Sequence, residues 1–303
     1  MTSPGPSVLE GVHEMLRETL AQAAGSTRWD GPAWVVRTPE LPLVWTLNQV
    51  RLAVPLPPRA LVRLAATHQG GQGFGHVVVE DGPAARSLAG PLARAGWEPQ
   101  EALVVVAPAL GGPGELAGFS GRGPSAGPAR GPEGRGPSAM REDDAAVLMG
   151  RWHAEESPGL TSGGLQQILE LHRREGSIWP ERILGHHDRT GRPLSVVKVR
   201  RDRSLAWLED LYVAPEARGR GAGRALLDAA RQTAGALGAD QIFALVDAAS
   251  GPRDLYGAAG FRPIGSVVSF TRDGEPVSPG RLSGRSRWPP RAPAPSRRRT
   301  APG

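Results

Sequence analysis

The apolar positions of the chain follow two periods. Val8, Val12, Leu16 and Leu20 recur at helical spacing and predict a helix over residues 7–24. A short apolar run at 33–37 and a longer one at 43–54, interrupted by Asn48 and Gln49, read as strands. Pro57-Pro58 can open a helix running to about residue 68. Val77-Val78-Val79 marks a buried strand at 74–80, and a helix at 83–95 ends at Gly96. A valine-rich strand at 101–107 closes this half. The second half opens with helices at 141–156 and 164–175. Strands follow at 182–187, 194–201 and 205–213, with a turn at Thr190-Gly191 between the first two. Next come a helix from Ala222 to about Leu237, a strand at 241–247, a helix at 252–259 and a last strand at 262–271.

Between the halves the pattern disappears. Half of the residues in 108–139 are glycine or proline, which cannot form a core, so this stretch reads as a disordered linker. Residues 275–303 are rich in proline and arginine and read as a disordered tail. The expected organisation is an α/β domain at 1–107, the linker at 108–139, a second α/β domain at 140–274 and the tail at 275–303. The two halves end alike. Ala95-Gly96-Trp97-Glu98-Pro99 before one valine-rich strand matches Ala259-Gly260-Phe261-Arg262-Pro263 before the other, each after a helix opened by Gly-Pro.

Composition narrows the function classes. There is no cysteine, which excludes disulfides, thiolate metal sites and a cysteine nucleophile. No apolar run approaches the ~20 residues that span a bilayer, and the polar N-terminus has no signal-peptide core. A soluble cytoplasmic protein with no membrane partner is the expectation. The net charge is +6, but seven arginines and no acid fall in 276–303, so the rest is near neutral. Only Trp288 interleaves those arginines, which favours a solvated tail over a nucleic-acid-binding one. Lys198 is the sole lysine. His186-His187 cannot both face one metal, because neighbouring strand residues point opposite ways, and no metal site is expected.

The stretch from Leu205 to Leu227 carries the chemistry. A strand stops at Pro215. Arg218-Gly219-Arg220-Gly221-Ala222-Gly223 follows, and a helix begins. The first N–H groups of a helix lack partners within it, and its dipole favours an anion there. Glycines let the backbone approach such a guest, so a phosphate or pyrophosphate is expected. The loop lacks the Gly-Lys-Ser/Thr of a P-loop and the spacing of a dinucleotide fingerprint.

The loop resembles the acyl-CoA signature R/Q-x-x-G-x-G/A of the GNAT acetyltransferases, carried by Arg218, Gly221 and Gly223. Leu255-Tyr256-x-x-x-Gly260-Phe261 is similar to that family's L-Y-x-x-x-G-F. Residues 141–272 resemble a GNAT domain throughout. The chain outside linker and tail resembles bacterial proteins with a truncated, degenerate GNAT-like half before the catalytic one. There Leu43-Val44-Trp45-Thr46-Leu47-Asn48 is similar to a V-W-D-L-N element, departing at Thr46. The fold implied is the α/β (α+β) GNAT acyl-CoA N-acyltransferase fold, a mixed, mostly antiparallel sheet flanked by helices.

The resemblance implies acetyl-CoA as acyl donor and direct attack of an amine on the thioester. The acceptor would be a small molecule or a peptide. The pyrophosphate would lie on Gly219, Arg220, Gly221, Ala222, Gly223 and Arg224, with Arg218, Arg220 and Arg224 adding charge. Leu211, Tyr212 and Val213 would pair with the pantetheine arm, and Tyr256 would protonate the leaving thiolate. For the base, Glu209 and Asp210 compete. Alternation from Leu205 places Glu209 on a mostly apolar face, where a raised pKa would suit a base. A bulge would shift that register. A competing expectation is a GNAT-fold module that binds acyl-CoA without catalysis or serves regulation. The acceptor and the oligomeric state are not legible.

Overall fold

A computed structural model describes residues 7–70, 73–111, 136–249 and 252–273. The tail and most of the linker expected from the sequence lie outside the described residues. Helix α1, Val8–Ala23, starts in a capping box: Ser7 Oγ accepts from the Glu10 N–H and the Glu10 carboxylate accepts from the Ser7 N–H. The strands β1 (Ser26–Asp30), β2 (Ala33–Arg37) and β3 (Val50–Leu52) follow, then α2 (Pro58–Gln69) and β4 (Phe74–Val79). Two short helices, α3 (Gly82–Ala85) and α4 (Ala89–Arg94), lead to β5 (Glu98–Pro108). The second half comprises β6 (Ser138–Ala139), α5 (Glu142–Glu156), α6 (Ser162–Gly176), β7 (Glu181–His187), β8 (Pro193–Asp202) and β9 (Leu205–Val213). It ends with α7 (Ala222–Ala236), β10 (Gln241–Asp247), α8 (Pro252–Ala258) and β11 (Arg262–Asp273).

Two local expectations change, and one strand was not expected. The strand expected at 43–54 is only β3, preceded by a 3-10 turn at Trp45–Leu47. Buried Asn48 is the reason. Its amide donates to the carbonyls of Leu41 and Val44 and accepts from the Thr38 N–H, so it satisfies backbone groups a strand would have paired. The helix expected at 83–95 is broken into α3, a 3-10 turn and α4. Pro91 removes a donor there. Strand β1 has no apolar alternation, because all five of its residues are exposed at the sheet edge.

The eleven strands among the described residues form one sheet in the order β1-β2-β3-β4-β11-β5-β10-β9-β8-β7-β6. The linker divides the sequence but not this sheet. Each half places its last strand beside the penultimate strand of the other: β11 pairs with β4, β5 pairs with β10, and β5 and β11 pair with each other. The order is nearly the same read from either side of the β5–β11 pair. Parallel β3–β4 answers parallel β9–β10. The repeated Gly before Trp97 and Phe261 has a structural cause. Gly96 and Gly260 both hold left-handed dihedrals, φ 80° and 88°, and end the preceding helices.

The sheet has a helix layer on each face. On one face α7 and α8 pack Leu226, Ala230 and Tyr256 on Val105, Val197, Val199, Ala206 and Leu208. On the other, α1 packs Val12, Met15 and Leu16 on Val104, Val106, Trp207 and Phe243, and α5 packs Leu148 and Met149 beside Val196 and Tyr212. In the first half, Trp97 and Phe270 are fully buried in one cluster, so β11 completes a core its own half does not use. Among the described residues no helix is long and apolar enough to cross a membrane.

Candidate active site

Strands β9 and β10 pair only from Leu205 with Gln241 to Trp207 with Phe243. Beyond that they part, β9 held by β8 and β10 by β5. The fork opens into a cavity of about 920 Å³ lined by both strands, the end of α5, the glycine loop and α8. That size suits a cofactor-sized ligand.

Inside the fork β9 bulges. Glu209 faces Lys198 and Tyr212 faces Val196, so β9 carries one more residue than β8 here. Asp210 takes up the difference with a left-handed φ of 56°. A non-glycine residue in that region is strained by about 1–3 kcal/mol and is held there by its surroundings. The bulge resolves the register question in a way alternation could not. Before it, Ala206 and Leu208 face α7; after it, Leu211 and Val213 do. Glu209 and Asp210, expected on opposite faces, both turn toward α6.

There they meet a buried ion cluster. Arg200, fully buried, donates to Glu181 at 2.6 Å and also to Glu209, with Glu175 of α6 at 3.4 Å. Lys198 lies 2.8 Å from Asp210, and His172 of α6 3.2 Å. Two cations thus serve four carboxylates. Burial opposes ionisation of Asp210, but its neighbours His172, Lys198 and Arg200 overcome it and hold the carboxyl below its usual range. Burial pushes His172 down to about 3, so it stands beside Asp210 as a neutral ring near pH 7. Glu209 goes the other way: burial, then repulsion by Glu175 and Asp210, raises it well above the ordinary range against the pull of Arg200. Glu175 is raised by burial too. Glu175 and Glu209 are thus the carboxyls held above their usual range, while Asp210 is held below it.

The glycine loop sits where β9 ends. Pro215–Ala217 forms a 3-10 turn, and Gly219 and Gly221 have φ of 72° and 80°. Both need glycine's freedom in the left-handed region. Gly221 is the N-cap of α7 and gives it no side-chain cap. Among the described residues, none of the backbone N–H groups of 219–224 has an acceptor. Gly219, Gly221, Ala222, Gly223 and Arg224 all line the cavity. A row of unpaired donors at a helix N-terminus fits an anionic group of pyrophosphate size.

The arginines sit differently from the sequence expectation. Arg218 donates to the Val213 carbonyl at 2.8 Å and to Glu155 at 2.7 Å, which ties the loop to β9 and α5. Arg224 donates to Asp228 and to the Ala258 carbonyl, tying α7 to α8. Arg220 is exposed, outside the cavity lining and without a partner among the described residues.

Leu211, Tyr212 and Val213 line the cavity beside the loop. Tyr256, on α8, lines it with a ring set edge-on to Phe261 at 5.2 Å. Burial alone raises its hydroxyl above the usual tyrosine range, so it stays protonated. The chain's other tyrosine, Tyr212, donates to Glu155 at 2.5 Å. The sequence reading missed Trp152, Glu155 and Glu156 at the end of α5 and Asp247 at the end of β10, which also line the cavity. Only the proximity of the helix end to the fork reveals them. Among the described residues no group of three His, Asp or Glu is placed to hold a metal ion.

Residues 183–263 match the family model described as an acetyltransferase (GNAT) domain. The fold is similar to that of a functionally unknown conserved protein from Staphylococcus epidermidis ATCC 12228, with a TM-score of 0.61 at 10% identity over 82% of this chain and 93% of that one. It is also similar to a GCN5-related N-acetyltransferase from Kribbella flavida, with a TM-score of 0.57 at 14% identity over 91% of this chain and 99% of that one. No curated protein matches the sequence. The chain has the GNAT fold, and residues 183–263 carry its match to the GNAT acetyltransferase domain.

Proposed function

We propose that the protein is an acetyl-CoA-dependent N-acetyltransferase. The observation that carries this reading is the convergence of the fork, the unpaired N–H groups of 219–224 and the Tyr256 hydroxyl on one cavity. In this reading the loop amides hold the pyrophosphate, and Leu211 to Val213 present their backbone to the pantetheine arm. Arg218 and Arg224 act by fastening the loop, and Arg220 meets the phosphates from the solvent side. The acetyl carbonyl then lies in the fork, and a small-molecule or peptide amine attacks it directly. The C–N bond forms as the C–S bond breaks.

Two proton movements are needed. An amine of pKa ~10.4 is neutral about one part in a thousand near pH 7.4, which costs about 4 kcal/mol unless a base removes the proton. Glu209 is assigned that role, directly or through a water, because its pKa is raised. Asp210 is assigned to hold Lys198 and the bulge, since a carboxylate kept below its usual range is a poor base. Tyr256 delivers a proton to the leaving thiolate. A cytoplasmic location beside the acetyl-CoA pool goes with this reading.

The test is calorimetric titration with acetyl-CoA, followed by free-thiol release across a panel of amines. Micromolar binding without turnover would support the non-catalytic acyl-CoA-binding or regulatory module instead. Absence of binding would remove both.

A further inference from the structure

Among the described residues, the cationic side chains on or behind the cavity wall are already committed. Arg218 serves Glu155 and a carbonyl, Arg224 serves Asp228 and a carbonyl, Lys198 serves Asp210, and Arg200 serves Glu209 and its neighbours. Glu156 has no cationic partner among the described residues. It is the last residue of α5, partly buried, and lines the cavity. The C-terminal end of a helix carries partial negative charge and draws cations. A desolvated carboxylate with no counter-charge, at such an end and facing a cavity, is complementary to an incoming ammonium. Trp152 and Trp207 line the same cavity and supply apolar wall for a methylene stem.

The end of α5 meets β9 beyond the bulge: Glu155, the residue before Glu156, accepts from Tyr212 and Arg218, whereas Glu209 accepts from Arg200. We propose that Glu156, supported by Asp247, receives the remote ammonium of an acceptor that carries two cationic amines joined by an apolar stem. The inference rests on the amine-acceptor reading above and names the class of acceptor.

Burial pushes the Glu156 carboxyl up to about 7, with Glu155 of α5 and Asp247 of β10 adding to the rise and the Trp152 indole opposing it. Also at the end of α5 are Tyr212 of β9, which donates to Glu155, Arg218, which is paired with Glu155, and Arg151, which is paired with Glu216 and acts on Glu155. A diamine should therefore bind the ionised carboxylate. With a pKa near 7, the ionised fraction rises about tenfold between pH 6 and pH 8.

The experiment titrates 1,4-diaminobutane and 1-aminobutane into the full-length protein saturated with CoA, at pH 6, 7 and 8. Diamine affinity should rise about tenfold over that range and exceed monoamine affinity by at least tenfold at pH 8. Glu156→Gln should weaken diamine binding at least tenfold at pH 8 and abolish its pH dependence, while CoA affinity is unchanged. If that variant does not fold, the wild-type pH series against the monoamine decides. Equal affinities for the two amines, a flat pH series, or no binding of either amine would overturn the proposal. A protein that does not bind CoA at all would instead defeat the acetyltransferase reading beneath it.

Discussion

Gly219 offers a perturbation whose magnitude can be worked from the backbone alone. Its φ is 72°, and a Cβ added there would meet nothing within 4 Å. Gly219→Ala therefore adds no clash, only the strain of holding an alanine in the left-handed region, about 1–2 kcal/mol. If the free loop can relax, that strain appears only when a ligand requires the present conformation. At 1.4 kcal/mol per tenfold, the acetyl-CoA Kd should then rise about 5- to 30-fold, with Tm unchanged. Gly219→Asn is the matching control, because asparagine tolerates the left-handed region far better than alanine. Its Kd should stay within about threefold of wild type. Calorimetry with acetyl-CoA and a thermal melt measure both quantities. An alanine variant with unchanged Kd and unchanged Tm would show that the loop needs no left-handed residue at 219. An asparagine variant as weak as alanine would show that bulk, not dihedral strain, is at issue.

Three other outcomes are expected. Tyr256→Phe should leave acetyl-CoA affinity nearly unchanged and lower kcat by roughly ten- to a hundredfold. The loss should shrink with a thioester of a more acidic thiol; normal turnover would make Tyr256 a packing residue. Glu175→Gln removes one of the repulsions that hold Glu209 above its usual range, so the acid limb of kcat/KM should move to lower pH. The same variant bears on stability. A carboxyl whose folded pKa is raised, as burial raises that of Glu175, contributes stability that is full below its unfolded pKa and lost as pH rises through the folded one. The variant should therefore gain stability relative to wild type as pH rises above the ordinary carboxylate range, and parallel melting curves would count against the raised pKa of Glu175. Finally, residues 1–111 expressed alone should show no cooperative melt, because β4 and β5 lose β11 between them; a sharp transition would show that the first half folds without the second.

The legible parts of the sequence are those governed by local rules. The glycine loop was readable because left-handed residues and unpaired helix N–H groups need particular residues at particular spacings, and 218–223 supplies them before a strong helical period. The helices and most strands followed from apolar spacing. What stayed hidden depends on contacts far apart in the chain. Asn48 breaks an otherwise apolar run only because three backbone groups around it need its amide. The bulge at Asp210 leaves no mark in Leu205–Val213, whose alternation runs through it without a glycine or proline. Its cause is across the sheet and the helix layer, in Lys198 and His172. The single lysine of the chain had a meaning composition could not show. A compact ammonium fits between Asp210 and the packed face of β8, where a planar guanidinium would demand more room and more acceptors.

The exchange of strands also explains why a half without a glycine loop is built into this chain. In the fork, β9 has β8 beside it throughout, but β10 has lost β9 after Phe243. From Ala244 to Asp247 the ladder partner of β10 is β5, with Val105 to Ala102 opposite. That strand belongs to the first half. β5 is held in turn by β11, and β11 by β4. One prong of the cleft is therefore fixed by the second half and the other by the first. Pairing with β5 satisfies only the edge of β10 turned away from β9; the N–H and C=O groups facing the fork stay open to a ligand, and β10 keeps its place there through its outer neighbour. The first half supplies that neighbour, and α1 covers the Trp207 side of the same strands. Its contribution to the site is thus the opening itself, even though none of its residues lines the cavity.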